Sequence, residues 1–164
     1  MKEFQITTLV RECTYEELSD KDRELVDAAK RAAIGAYAPY SGFHVGAAIL
    51  MDNGRIEIGS NQENVAYPSG MCAERTAAYH ASAANPGVAM KKIAVAAGNL
   101  KKSPSGESED GFQSHPISPC GACRQALVEY ENLYGKIEVI LYGKEKIYIF
   151  PSVSSLLTYT FTYF

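Results

Sequence analysis

Two short segments restrict this chain more than anything else in it: Cys72-Ala73-Glu74 and Pro119-Cys120-Gly121-Ala122-Cys123. Each opens a helix-favouring stretch. The first runs through Arg75-Thr76-Ala77-Ala78-Tyr79 until Asn85-Pro86-Gly87 breaks it, and the second predicts a helix from Gly121 to Leu133. Between them, Ile93-Ala94-Val95-Ala96-Ala97 reads as a short buried strand. If the two helices lie side by side on one face of that strand, their N-termini present Cys72, Cys120 and Cys123 to a common point. Thiolates profit there, because helix N-termini favour negative charge and lower the thiol pKa.

The rest of the chain supplies a sheet and one more helix. Thr14-Tyr15-Glu16-Glu17 has the form of a capping box, which predicts a helical turn. Leu25, Val26, Ala29 and Ala33 then recur at helical spacing, predicting an amphipathic helix over residues 20–36 that Pro39 forecloses. Phe43 to Met51 is nearly continuous apolar chain, Asp52-Asn53-Gly54 is a turn signal, and Arg55-Ile56-Glu57-Ile58 alternates, so this stretch reads as a hairpin with a buried first strand. Residues 61–70 are too polar and broken for an element. Ile137 to Leu141 and Lys146 to Phe150 predict two further strands, and residues 99–118 read as a solvated loop. The order helix, strand, strand, helix, strand, helix, strand, strand makes this an α/β chain with a mixed five-stranded sheet flanked by helices.

A length of 164 residues fits a single domain, 1–164, with a real core. Hydrophobic residues at 46% and charged residues at 21% exclude a disordered or disulfide-dense chain. A net charge of -3 leaves no basic excess for a phosphate backbone, so nucleic acid is not expected as a partner. The N-terminus lacks the apolar stretch of a signal peptide and no run approaches a membrane span, which predicts a cytoplasmic protein with reduced thiols and no membrane partner.

Cys-x-x-Cys by itself has three readings: a redox pair, half of a structural zinc site, or part of a catalytic one. A closed structural site, as in a zinc-stapled interaction module, needs a fourth ligand from Cys13, His44, His80 or His115, a condition not met well: His44 reads as a core or partly exposed imidazole in a strand, His80 has a similar role on a helix, and His115 sits in the loop. Three ligands and an open fourth position instead describe catalytic zinc, which lowers the pKa of a bound water toward neutrality. Arg75, one turn beyond Cys72, is placed to donate to a ligand sulfur. Glu74 either complements the helix dipole or, beside an open zinc, accepts a proton from the water and passes it on as a general acid–base. A ligand-x-Glu followed by Pro-Cys-x-x-Cys is the pattern of the zinc nucleobase deaminases.

At these residues the chain resembles the small cytidine deaminases. The resemblance covers most of residues 30–130 and rests on Tyr37-Ala38-Pro39-Tyr40-Ser41-Gly42-Phe43-His44-Val45-Gly46-Ala47-Ala48, Asn61-Gln62-Glu63-Asn64, Cys72-Ala73-Glu74-Arg75-Thr76-Ala77 and Pro119-Cys120-Gly121-Ala122-Cys123-Arg124-Gln125. It implies a three-layer fold and the pyrimidine-salvage reaction that turns cytidine and deoxycytidine into the uridines plus ammonia. It also implies one zinc per chain on Cys72, Cys120 and Cys123, with Glu74 as proton shuttle. By the same resemblance Phe43 packs against the nucleoside, Asn61 and Glu63 bind the ribose 3′-hydroxyl, and the backbone of Ala73 meets the pyrimidine carbonyl. The family's homotetramers share active sites through a C-terminal Phe, matched here by Phe161 in Leu156-Leu157-Thr158-Tyr159-Thr160-Phe161, where Thr158 replaces a proline. Tyr159, Phe161, Tyr163 and Phe164 make the tail aromatic at nearly alternating spacing, which suits an interface. The alternative is a related deaminase for another aminated nucleoside analogue, such as the blasticidin S deaminases, and the pair Asn61 and Glu63 favours the plain nucleoside.

Overall fold

A computed structural model describes residues 1–100 and 111–162. In chain order the elements are β1 (Arg11–Cys13), α1 (Asp20–Ile34), β2 (His44–Met51), β3 (Ile56–Ser60), α2 (Ala73–Ala84), β4 (Met90–Gly98), α3 (Gly121–Tyr134), β5 (Glu138–Leu141) and β6 (Ile147–Phe150), with short 3₁₀ turns at Tyr67–Ser69 and Ser154–Leu156. The sheet order is β1-β6-β5-β4-β2-β3. Only β4 and β5 pair in parallel, and α3 is their crossover; the other pairings are antiparallel.

The sheet therefore has six strands rather than the expected five. The sixth, Arg11–Cys13, pairs with β6 in the register Arg11↔Ile149. Three mostly exposed residues at a sheet edge carry no alternation long enough to read. The expected helical turn at Thr14 is also absent. The Thr14 N–H does donate to Glu17 Oε2 at 2.8 Å, as a capping box would, but the helix begins later, at the N-cap Ser19, whose side chain accepts from the Asp22 N–H at 3.2 Å.

Strand alternation sorts the core into two layers. Ala47, Ile49 and Met51 of β2, Ile93 and Val95 of β4, and Val139 and Leu141 of β5 face α2 and α3. Their neighbours Ala48, Ala94, Ala96 and Ile140 join Leu25, Val26, Ala29 and Ala33 under α1. The central strands are buried on both faces, which explains why they read as continuous apolar runs. Two glycines let the helices sit close: a Cβ at Gly46 would lie 2.0 Å from the Ala29 carbonyl oxygen, and one at Gly59 would lie 2.3 Å from the Ala77 nitrogen.

The expected loop 99–118 falls partly on residues 101–110, outside the described residues, as do Tyr163 and Phe164 of the tail. Its returning limb is anchored at Gly111 and Phe112, while Ser114, His115 and Ser118 are exposed as expected of a solvated loop. The Asn99 N–H donates to the Gly111 carbonyl at 2.9 Å, and buried Phe112 stands edge-on to Tyr142 with ring centroids 5.8 Å apart. Lys30 of α1 lies 5.4 Å from the Tyr142 ring centroid and 5.8 Å from that of Phe112, tying this limb to the first helix.

A buried carboxylate fixes the end of α3 to the C-terminal segment. Glu131 accepts from the N–H groups of Ile137 at 3.0 Å, Val153 at 2.7 Å and Ser154 at 3.0 Å. Glu131→Ala orphans the amides of Ile137 and Val153 at buried positions, while exposed Ser154 can turn to solvent. An unsatisfied buried donor costs about 1–3 kcal/mol, so the loss should total about 2 kcal/mol or more, read as a lowered urea midpoint. A loss under about 1 kcal/mol would show that water satisfies these amides instead.

Candidate active site

Both cysteine segments cap helices, as their sequence setting predicts. Cys72 is the N-cap of α2 and Cys120 the N-cap of α3, and both have extended backbone conformations. Cys123 lies in the first turn of α3, where its own N–H donates to Cys120 Sγ at 3.4 Å. Packing α2 and α3 side by side on one face of the sheet brings the three thiols together. Cys72 Sγ stands 3.8 Å from Cys120 Sγ, Cys120 Sγ stands 3.4 Å from Cys123 Sγ, and all three sulfurs lie within 4.8 Å of one another.

Thiolates about 2.3 Å from one tetrahedral zinc sit about 3.8 Å apart, so the donor set fits that ion. The electrostatics agree. Burial pushes the Cys72 thiol up, partly offset by the hydrogen bond from Arg75, and burial followed by the charge of Glu74 pushes Cys123 up. At Cys120 the cost of burial is outweighed by hydrogen bonds from the Cys123 backbone and side chain, and its pKa falls. Thiols held in this way need a cation to remain ionised together. Arg75 supplies part of that charge: its Nη2 is 3.8 Å from Cys72 Sγ, as its sequence position predicts. Its Nε is buried with no hydrogen-bond partner among the described residues. Among those residues, no further His, Cys or carboxylate joins the three sulfurs, so three ligands remain the set.

Glu74 is 5% exposed, in the first turn of α2. Burial raises its carboxyl pKa above the usual carboxylate range. A carboxylate merely complementing a helix dipole would sit in solvent; one held dry beside three thiols is placed to hold and release a proton.

A cleft of about 680 Å³ opens over this cluster. Asn61, Glu63, Cys72, Ala73, Glu74 and Cys120 line it, so most of the residues singled out in the sequence converge. Phe43 is half-buried and is not among the lining residues; its backbone holds the site together, with its carbonyl accepting from Asn61 Nδ2 at 2.9 Å. Asn61 Oδ1 accepts from the Val45 N–H at 2.8 Å, so Asn61 clamps the entry of β2. Glu63 accepts from the N–H groups of Tyr40 and Ser41 and from the Ser41 hydroxyl. Phe161 lies elsewhere, in a groove with Ile6, Leu157 and Tyr159; it is 63% exposed, and its carbonyl accepts from Gln125 Nε2 at 2.8 Å.

The sequence reading missed Tyr40, Ser41, Tyr67, Ile117 and Ser118, which also line the cleft. Tyr67 belongs to the stretch read as too broken for an element, where a 3₁₀ turn with Pro68 leaves its ring 82% exposed at the cleft. An aromatic beside a proline in an otherwise polar segment was the available signal.

Comparison with known proteins agrees with this geometry. The family model described as "Cytidine and deoxycytidylate deaminase zinc-binding region" matches residues 19–137. A curated cytidine deaminase of Sporosarcina psychrophila is 43% identical over 110 residues, covering 66% of this chain and 69% of the relative. One from Halalkalibacterium halodurans is 40% identical over 66% of this chain and 71% of its own length. The crystal structure of cytidine deaminase from Burkholderia pseudomallei superposes with a TM-score of 0.67 at 38% identity, over 84% of this chain and 97% of that one. That of Mycobacterium tuberculosis gives 0.63 at 31% identity over 88% and 99% of the two chains.

Proposed function

The chain belongs to the cytidine and deoxycytidylate deaminase family, and from that premise we propose that it deaminates the nucleosides cytidine and deoxycytidine rather than their phosphates. The observation that carries the choice is the charge of the cleft. Among its described lining residues the charged ones are Glu63, Glu74 and Arg75, and Arg75 is committed to Cys72. A substrate phosphate would meet carboxylates and find no free cation there. A related deaminase for blasticidin S is not favoured, since the curated relatives are cytidine deaminases.

The reaction adds water across C4 of the base, gives a carbonyl and releases ammonia. Cys72, Cys120 and Cys123 would hold one zinc, which when bound would supply the activation of that water. Glu74, buried in the first turn of α2, takes one proton as the water oxygen bonds to C4 and delivers it to the ring nitrogen; it then takes the second proton from the new C4 hydroxyl and delivers it to the amino group, which leaves as ammonia as the C4 carbonyl forms. The backbone of Ala73 meets the pyrimidine carbonyl, Asn61 and Glu63 bind the ribose 3′-hydroxyl, and Phe43 packs against the nucleoside. Zinc-loaded protein mixed with cytidine or deoxycytidine should lower the ultraviolet absorbance of the base; no change with either nucleoside refutes this function.

The assembly belongs to the same reading. The cleft is open, exposed Tyr40 and Tyr67 line it, and Tyr159 and Phe161 of the tail are exposed on the same chain. A homotetramer in which Phe161 of one subunit walls the cleft of another would cover both and exclude water from the reaction. Truncation after Leu157 should then dissociate the tetramer in sedimentation and raise KM. A tetrameric truncated chain with parental kinetics rules out the tail as a shared wall. The chain is read as one domain over residues 1–164. No helix among the described residues is long and apolar enough to cross a membrane, and a cytoplasmic setting, where the thiols stay reduced, completes the proposal.

A further inference from the structure

We propose that Ser41 is a positioning residue that fixes the Glu63 carboxylate as an acceptor of hydrogen bonds in the cleft, so that the enzyme selects nucleosides that donate to it from the 3′-position. This rests on the reading of Glu63 as the ribose contact.

The residues concerned form one paired unit. The Tyr37 N–H donates to the Asn61 carbonyl at 3.0 Å and the Glu63 N–H donates to the Tyr37 carbonyl at 2.8 Å, so the loop beginning at Tyr37 lies alongside residues 61–63. Gly42, at φ +65°, turns the loop back, and the Phe43 N–H donates to Ser41 Oγ at 3.0 Å. With that lone pair occupied, the Ser41 hydroxyl proton points away to Glu63 Oε1 at 2.5 Å. Glu63 Oε2 meanwhile accepts from the Tyr40 N–H at 2.8 Å and the Ser41 N–H at 3.3 Å.

Counting donors and acceptors sets the polarity. An ionised carboxylate offers roughly four acceptor positions and no donor. Three are taken by Tyr40 and Ser41. The Ser41 hydrogen bond, with the Tyr40 amide behind it, holds the Glu63 carboxyl below the usual carboxylate range, so it stays ionised at neutral pH. The only proton on the Ser41 side chain is spent inside the pair. What remains for the substrate from both side chains is acceptor capacity, and both line the cleft. A 3′-hydroxyl or 3′-amino group satisfies it by donating; a 3′-fluorine or a missing hydroxyl leaves it unpaired. Without the Ser41 hydroxyl, Glu63 keeps its charge and loses its orientation.

The test is a comparison of variants across two substrates. With Ser41→Ala, KM for cytidine should rise about tenfold, the size of one lost charge-assisted hydrogen bond, while kcat changes much less. KM for 3′-deoxycytidine should stay near the parent value, because that substrate never used the contact. Ser41→Thr keeps the hydroxyl and should restore cytidine binding. In the parent enzyme, 3′-amino-3′-deoxycytidine should be preferred over the 3′-fluoro analogue. A Ser41→Ala variant that shifts both substrates equally has a merely structural lesion, and one that shifts neither has no role; either result overturns the inference. Glu63→Ala separates this from the underlying reading: if it leaves the preference for cytidine over 3′-deoxycytidine intact, Glu63 does not bind the sugar and both fall. If it abolishes that preference while Ser41→Ala does not reduce it, only the inference about Ser41 falls.

Discussion

Cys120→Ser is expected to lose zinc and deaminase activity together, with activity falling to background. Cys120 touches both other ligands, at 3.8 Å from Cys72 Sγ and 3.4 Å from Cys123 Sγ, so its sulfur is the centre of the cluster. A serine hydroxyl is a neutral, weakly acidic oxygen in place of a thiolate, and zinc affinity depends on deprotonated ligands. With one of the three sulfurs gone, no further described His or Cys joins the remaining two to replace it. Metal analysis and cytidine turnover on the same sample check this. Full zinc retention in the variant would mean that the ion is held elsewhere.

Glu74→Gln should behave differently, keeping zinc and fold while turnover falls by about 10²–10⁴, the usual contribution of a positioned acid–base group. The amide has nearly the same shape as the carboxyl group, and the site at 5% exposure is already dry, so packing is preserved. What disappears is a group able to take a proton and give it back. Zinc content equal to the parent with turnover reduced in kcat identifies Glu74 as the shuttle. Near-parental turnover would reduce it to a charge at the start of α2.

The elements legible in the sequence were those whose burial is simple. Ala47 to Ile49 and Ile93 to Ala97 are buried on both faces and read as unbroken apolar runs; Leu25, Val26, Ala29 and Ala33 bury one face of α1 and recur at helical spacing. The convergence of Cys72, Cys120 and Cys123 was legible because helix opening, cysteine spacing and Glu74 all pointed to one place. Strand β1 was not, since its three residues are held by backbone pairing to β6 rather than by a pattern of burial. Glu131 gave no signal either: its partners Ile137, Val153 and Ser154 are distant amides that only the tertiary fold brings to it. Ser41 was hidden for the same reason. A serine after Pro39-Tyr40 reads as turn chemistry, and its hydrogen bond to Glu63 exists only because the loop returns beside residues 61–63.

The measurement that bears most directly on the whole account is the rate at which zinc-loaded protein deaminates cytidine and deoxycytidine compared with their 5′-monophosphates and free cytosine, followed by ultraviolet absorbance at matched concentrations. A cleft whose described charged residues are Glu63, Glu74 and an Arg75 tied to Cys72 predicts kcat/KM for the nucleosides at least about a hundredfold above that for the monophosphates and the free base. Equal or faster turnover of deoxycytidine monophosphate would contradict it.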